Sequence, residues 1–193
     1  MKRGPGLLLG LALWPAAVFA GHGLLNSFSD LEWLPAPGRT PDQWNYRLDT
    51  WREQAELLLA DNDVARLTLC LSTMRKKVAE AEAMVAKADQ AAALIAIERY
   101  HATLARAEAL VDETTRERLA RALLEHQYML SVDYPDLPAA PRALLAKLID
   151  DIGLRYTALR GTLSRGSADA LFFKEEEVRW SWEMGRRAGE ERR

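Results

Sequence analysis

The sequence predicts an all-α protein: an elongated helical bundle with a long antiparallel helical hairpin, about five helices in all, and a short C-terminal helix. The 193-residue chain holds only 8 Pro and 11 Gly, mostly towards its ends. Its long middle is rich in Ala, Leu, Glu and Arg, which favour helices, and apolar residues recur there every three or four positions, the spacing of one helix face. A net charge of −2 argues against a nucleic-acid-binding protein, which needs clustered excess cations.

Residues 1–20 form a predicted signal peptide. A cationic start precedes an apolar run from Leu7 to Phe19. The residues that end at Ala20 are small enough to be recognised by a signal peptidase. A membrane-spanning helix needs about 20 mainly apolar residues, whereas this run is shorter and contains Pro15. We therefore expect cleavage after Ala20 and export, with the periplasm as the compartment. An uncleaved N-terminal helix anchored in the inner membrane is the alternative.

An extended lead-in is predicted for residues 21–39, because Pro35 and Pro37 remove backbone donors and restrict the residue before each. A bundle domain is expected over residues 40–161. Its first helix is expected to begin at Thr40, which can cap free N–H groups, followed by Pro41, which suits the first helical position. The apolar stripe through which this helix is expected to pack comprises Trp44, Leu48, Trp51, Ala55 and Leu58.

The second and third helices are predicted to form the hairpin. The second runs from about Asp63 to Lys87, and Asp89 caps the third, which ends near Val111. Their join is only a few residues long, and a short join makes two helices antiparallel neighbours. The predicted seam contains Leu67, Leu71, Met74, Val78, Ala81, Val85 and Ala88 on one helix and Ala93, Ile97, Tyr100, Leu104, Ala107 and Val111 on the other.

Two more helices complete the predicted bundle. The fourth begins after Thr114 or Thr115 and ends near Val132, and the fifth opens at Pro141. A loop is expected over residues 161–166. Residues 162–193 form a separate C-terminal segment, in which a short aromatic-rich helix is followed by a charged tail expected to fray.

Packing rather than charge pairing is expected to decide the fold. A buried Leu, Val or Met stabilises by about 1.5–3 kcal/mol, and a surface pair such as Arg52 with Glu56 adds about 0.2–0.5 kcal/mol. Lys77 and Glu80 are accordingly expected on the wet outer faces. The single cysteine, Cys70, excludes an internal disulfide, and its place on an apolar face favours burial.

Several segments together resemble an exported helical domain of bacteria and archaea catalogued as domain of unknown function 5667. The resemblance covers about residues 34–111 and is carried by residues 47–53, 57–63, 75–84 (RKKVAEAEAM), 88–89 and 96–107 (AIERYHATLARA). The family pattern has a Leu-Pro-Gly-Asp entry and a Gly-Asp or Gly-Asn corner between the paired helices. Here Gly38 is not followed by Asp, and the corner Lys87-Ala88-Asp89 lacks the glycine. The resemblance implies export and the hairpin, and no chemistry.

Motifs that carry catalysis are missing from the sequence, which has no Gly-x-Ser-x-Gly elbow, His-Glu-x-x-His or phosphate-binding glycine loop. We therefore expect no enzyme and no cofactor. Glu98 and His101 are weak metal-ligand candidates, since Glu-x-x-His occurs in di-iron bundles. Such a site needs a second copy of the motif, and His126 has Leu123 where the glutamate would stand. A small-ligand or metal-binding bundle remains an alternative function.

Aromatic residues supply the candidate contact sites. Tyr46 lies off the main stripe of the first helix and is expected to be exposed or at a contact, although the aromatics there can also pack in the core or line a ligand groove. The C-terminal candidates are Phe172, Phe173, Trp180 and Trp182. Aromatic residues beside arginine are typical of interface cores. The sequence thus favours an exported, non-enzymatic interaction or scaffold protein with a protein partner or self-association, and a membrane surface is a further possible contact of this segment or of an uncleaved N-terminus.

Overall fold

Six α-helices and one 3₁₀ turn make up the part of the chain that the structure, a computed structural model, describes, residues 27–191. No strand occurs in this part, so the predicted all-α bundle is confirmed. The elements in chain order are α1 Tyr46–Leu59, α2 Asp63–Ala86, α3 Gln90–Leu110, α4 Arg116–Asp133, the 3₁₀ turn Tyr134–Asp136, α5 Ala139–Arg160 and α6 Arg165–Glu191.

The hairpin of α2 and α3 forms where the sequence predicts it. Side chains cap both helices, since Asn62 accepts from the Ala65 N–H at 2.9 Å and Asp89 accepts from the Ala92 N–H at 3.0 Å. Most of the predicted seam is buried, Leu71 and Val111 are half-buried, and Ala88 is exposed in the turn. The join turns at Ala88, which has the positive φ of 59° that glycine adopts most readily. The corner therefore keeps a left-handed backbone although the glycine of the family pattern is absent.

Helices α4, α5 and α6 pack together beside the hairpin and share one core with it. Helix α6 crosses the end of α4 at close range because its inward positions are small. A Cβ added at Gly185 would lie 2.6 Å from the Ser131 carbonyl oxygen, nearer than any side chain can approach. Near the end of α6, the buried Arg142 guanidinium donates to the Gly189 carbonyl oxygen at 2.7 Å.

The C-terminal helix is longer than expected. Instead of a short helix with a frayed tail, α6 runs for 27 residues, and Gly166 lies inside it rather than in a loop. Its small residues Gly185 and Gly189 are buried against the neighbouring elements, so close packing holds the segment that composition alone marks as loose.

The first helix also differs from the expectation. It begins at Tyr46, and residues 41–45 form turns before it. Its predicted packing stripe faces away from the bundle: Trp44 is 90% exposed and Trp51 71%. In the lead-in, residues 31–39 have no regular secondary structure, but Phe28 is buried and stacks on Tyr128 with ring centroids 4.2 Å apart. This part of the lead-in thus packs on the bundle.

The predicted signal peptide and its cleavage site lie outside the described residues. Between Ser27 and Glu191, no helix combines the length and the apolar character needed to cross a membrane.

Candidate interaction surfaces

A network of charged side chains fastens α1 to α2. Lys77 Nζ lies 3.0 Å from Glu53 Oε1 and 2.9 Å from Glu80 Oε1, and Lys76 Nζ pairs with Asp49 and, at 2.8 Å, with Glu53. Lys77 and Glu80 are 1% and 0% exposed, so their expected place on a wet outer face is wrong. Burial raises the pKa of Glu80 despite the nearby Lys77 ammonium. The network buries opposite charges in contact, which is the condition under which ions are tolerated in a protein interior.

Tyr46 belongs to this network and is buried, which contradicts its expected exposure. Its hydroxyl donates to Glu80 Oε2 at 2.8 Å and accepts from Lys77 Nζ at 3.3 Å. Burial, followed by the negative charge of Glu80, raises the pKa of the tyrosine. Tyr46 therefore positions Glu80 and Lys77 inside the molecule and is unavailable to a partner.

The opposite side of α1 presents apolar residues to solvent. We give the name outer face of α1 to this side together with Trp44 from the turn before the helix, and it comprises Trp44, Leu48, Trp51, Ala55, Leu58 and Leu59, all exposed. Helix α1 is thus inverted relative to an ordinary surface helix, which buries its apolar stripe and keeps charges in water. Exposed apolar patches of this kind mark interaction surfaces in folded proteins.

A second group of exposed aromatic residues lies on α6. We call it the aromatic edge of α6, and it comprises Phe172, Phe173 and Trp180, with Met184 one turn beyond Trp180. The two phenylalanines contact each other edge to face at 5.4 Å. The fourth C-terminal candidate, Trp182, points back: its ring meets Tyr134 at 5.0 Å, and its indole N–H donates to Asp150 Oδ1 at 3.0 Å.

Between α2, α4 and the lead-in lies an open groove of about 590 Å³. Its walls carry four cationic side chains and two carboxylates, so positive charge is in excess. These are Arg75, Lys76, Arg118 and Arg121 against Glu32 and Glu125. Arg75 bridges both carboxylates, at 2.8 Å to Glu32 and 3.3 Å to Glu125. The groove can hold a small anion or a molecule with an acidic group.

His126 lies in the wall of this groove and is almost fully buried. Its Nδ1 is 3.2 Å from the Tyr100 hydroxyl. Burial, with a smaller contribution from the Arg75 charge, lowers the pKa of His126 to about 3. The imidazole is therefore neutral at physiological pH.

The two weak metal candidates do not converge with further ligands. Glu98 is exposed, and His101 Nε2 is 3.8 Å from Asp151 Oδ2 on α5. Within residues 27–191, no group of three or more His, Cys, Asp or Glu side chains is placed to hold a metal ion. Cys70 is buried, as its apolar position predicts.

The network that holds α1 was not expected from the sequence. A signal for it existed, because Lys77 and Glu80 directly adjoin the seam residues Val78 and Ala81 and are spaced as a helix pair. On α1, Tyr46 and Glu53 share the other side of the helix from Trp44 and Trp51. When each of two helices carries a strip of charged or polar residues beside its apolar stripe, the two strips can pair in a charged contact between the helices.

The family resemblance is confirmed by comparison with known families. Residues 38–132 match the family described as Domain of unknown function (DUF5667). The match includes the hairpin, α1 and nearly all of α4, and therefore the network and the outer face of α1. Neither a curated protein nor a solved structure matches the chain.

Proposed function

Starting from a chain whose residues 38–132 match this family of unknown function, we propose that the protein is an exported, non-enzymatic interaction or scaffold protein that works in the periplasm. Its bundle supplies a rigid, densely packed support, and its role lies in presenting helix surfaces to a protein partner. No residue is assigned to catalysis, and no cofactor takes part.

The aromatic edge of α6 is the observation that carries this proposal. The inward side of α6 is fixed on α4 through Leu171, Val178 and Gly185, so Phe173 and Trp180 are held outward on a rigid helix. Aromatic side chains on a rigid support lose little entropy on binding, which is why they dominate interface hot spots. Arg179 lies beside Trp180 and supplies a polar rim.

Point substitutions on α6 test the proposal. Removal of the whole C-terminal segment would uncover the core, so Phe173→Glu and Trp180→Glu are preferable, with Leu94→Glu, at an exposed position of α3, as the matched control. We expect a specific partner, identified by crosslinking in the native compartment, to be lost in both α6 variants and retained in the control. Partner recovery that neither variant reduces would contradict docking through this edge.

Export and the lack of catalysis have their own tests. The mass of the mature protein isolated after expression of the full gene should begin at Gly21, whereas a retained N-terminus in the membrane fraction would instead support the anchored alternative, an accessory subunit held by its N-terminal helix. Turnover of any substrate, abolished by one polar-to-Ala substitution, would contradict the non-enzymatic role.

A second candidate function, small-ligand binding, is favoured by the cationic groove between α2 and α4. Three guanidinium groups beside an apolar wall suit a ligand with a carboxylate or phosphate group. Calorimetric titration with inorganic phosphate and with small dicarboxylates would detect such binding, and Arg118→Ala should abolish it. Elemental analysis of protein purified without an affinity tag tests the metal-binding form of this alternative.

A further inference from the structure

We infer that a second copy of this chain covers the outer face of α1, packed antiparallel across a two-fold axis. The inference rests on the proposed interaction function, and it names a second copy of this chain as the partner. It concerns a different face from the aromatic edge of α6, so the two can fail separately.

The orientation of α1 cannot be reversed within one copy. Turning the outer face inward would withdraw Glu53 and Tyr46 from the buried Lys77–Glu80 pair of α2, so that Lys77 loses its second carboxylate and Glu80 its hydrogen bond from the Tyr46 hydroxyl. A buried ion pair offsets its desolvation only when its remaining hydrogen-bonding groups also have partners. The apolar residues therefore stay outward in the monomer, and only another molecule can remove them from water.

The size of the outer face fits a protein interface. Trp44 and Trp51, at 90% and 71% exposure, together offer about 300 Å² at the roughly 200 Å² that one buried aromatic side chain removes from water. Leu48, Leu58 and Leu59 lie beside them. A standard interface takes about 800 Å² from each partner, so the apolar residues provide most of that area, and the polar rim provides the remainder.

The charges beside this face are arranged for an antiparallel copy. Arg47 stands in the first turn of α1 and Asp61 just beyond its last turn, both exposed and neither in an ion pair with a described residue. Helix α1 spans 14 residues, about 21 Å along its axis, so the two charges lie near its opposite ends. A two-fold axis at the level of Gln54 places Arg47 of each copy near Asp61 of the other, whereas a parallel pair would place like charges together.

Side-chain sizes agree with the same arrangement. The axis at Gln54 that pairs Arg47 with Asp61 lies one residue from Glu53, the level at which Trp51 of one copy meets Ala55 of the other and Leu48 meets Leu58. A large residue then faces a small one, as in interdigitated helix seams. A lipid surface fits less well, because an interfacial helix carries a cationic polar face, while the rim here includes Glu56 and Asp61.

Sedimentation of the protein purified from full-length expression tests the inference. Over concentrations from about 1 µM to 1 mM, the wild type is expected to form dimers. Trp51→Glu is expected to shift the chain to monomers with an unchanged circular dichroism spectrum, because Trp51 makes no core contact. Leu154→Glu, an equally exposed leucine position on α5, should leave the dimer intact.

Charge exchange tests the antiparallel register. Arg47→Asp and Asp61→Arg should each weaken the dimer about tenfold, because each creates two like-charge contacts across the axis. The double variant R47D/D61R should return the dissociation constant to within about threefold of the wild-type value, since it restores both pairs in reverse.

Two outcomes would overturn the inference. A wild type that stays monomeric throughout means that no second copy covers α1, and if α6 variants then still lose a partner, the proposed interaction function stands. A dimer that survives Trp51→Glu, or that the double charge exchange does not restore, places the contact on another surface or in another register.

Discussion

Helix α2 packs against two neighbours by opposite means. Towards α3 it presents apolar residues, and Met74, Val78 and Ala81 are buried in the seam. Towards α1 it presents Lys76, Lys77 and Glu80, and the contact is closed by ion pairs of Lys76 and Lys77 with Glu53 at 2.8 and 3.0 Å. One contact is stabilised by removal of apolar surface from water, and the other depends on every buried charge having a partner.

The difference has a consequence for the outside of the molecule. Because charges satisfy the inner side of α1, its apolar side is left in solvent, whereas the apolar side of α2 is buried against α3. A polar interior contact therefore creates an apolar exterior. The following variants break or sharpen this contrast, in order of decreasing expected effect.

Loss of one ion at the α1 contact should be the most damaging single change. Lys77→Ala leaves Glu80 buried without its ammonium partner, and we expect the free energy of unfolding to fall by about 3–5 kcal/mol. The double variant K77M/E80L, which removes both charges, should recover most of that loss. Urea denaturation measures both, with exposed Lys147→Ala as the control. A loss below about 0.5 kcal/mol in Lys77→Ala would show that the network does not hold α1.

The buried imidazole of His126 on α4 should contribute to acid stability. The pKa of His126 is about 3 in the folded protein, below its ordinary value of 6.5. Between these values the unfolded chain binds more protons, so acidification destabilises the fold, by at most about 1.4 kcal/mol per pH unit for one proton. This contribution is complete above pH 6.5 and is lost as the pH falls towards 3.

His126→Asn, which keeps a polar group near the Tyr100 hydroxyl, should make the decline in unfolding free energy from pH 6.5 to 4 shallower. Thermal denaturation across this range measures it, and the half-buried His101, changed to Gln, serves as the comparison. Parallel pH profiles for wild type and His126→Asn would refute the assignment.

Substitution of an aromatic residue should lower the unfolding free energy more on the buried side of the α1 segment than on its exposed side. Tyr46→Phe removes the hydroxyl that donates to Glu80, and we expect a loss of about 1.5 kcal/mol, typical of a hydrogen bond to a charged group. Trp44→Ser, on the outer face, should change the unfolding free energy by less than about 0.5 kcal/mol. Both are measured by urea denaturation at a concentration where the chain is monomeric; the reverse order would mean that α1 packs with its tryptophans inward.

The hairpin should gain stability from a change at its corner. Ala88 has a φ of 59°, which costs a residue with a Cβ about 1–2 kcal/mol. Ala88→Gly relieves that strain but adds freedom to the unfolded chain, so the expected net gain is about 0.5–1 kcal/mol. A raised melting temperature confirms it, and Ala102→Gly, at an exposed position inside α3, should do the opposite.

The hairpin could be predicted from the sequence and the side of α1 could not, for one physical reason. Periodicity identifies which residues share a face, and in α2 and α3 only one apolar face exists to be buried. In α1 the Trp44–Leu58 stripe and the Tyr46–Glu53 strip compete. Since apolar residues are usually buried, the sequence predicts that the Trp44–Leu58 stripe faces the bundle. In the structure the Tyr46–Glu53 strip faces the bundle instead, because it pairs with Lys77 and Glu80 of α2.

The C-terminal helix shows the converse error. Gly185 and Gly189 suggest a loose tail because glycine weakens an isolated helix. In the folded chain their small size lets α6 approach the Ser131 backbone and the Tyr134 ring, and the packing outweighs the propensity. The exposed positions of Phe172, Phe173 and Trp180 agree with the aromatic pattern that singled them out, whereas Tyr46 and Trp182 turn inward.

The contacts where the lead-in joins the bundle determine how the fold would resist a pulling force applied on its N-terminal side. The Ser27 N–H donates to Glu177 at 3.1 Å, its carbonyl oxygen accepts from Lys174, and the Lys174 ammonium lies 4.2 Å from the centre of the Phe28 ring. Tension applied upstream of Ser27 thus meets α6 and α4 first. These contacts of Ser27 and Phe28 would have to break before an applied force reached the hairpin and α1.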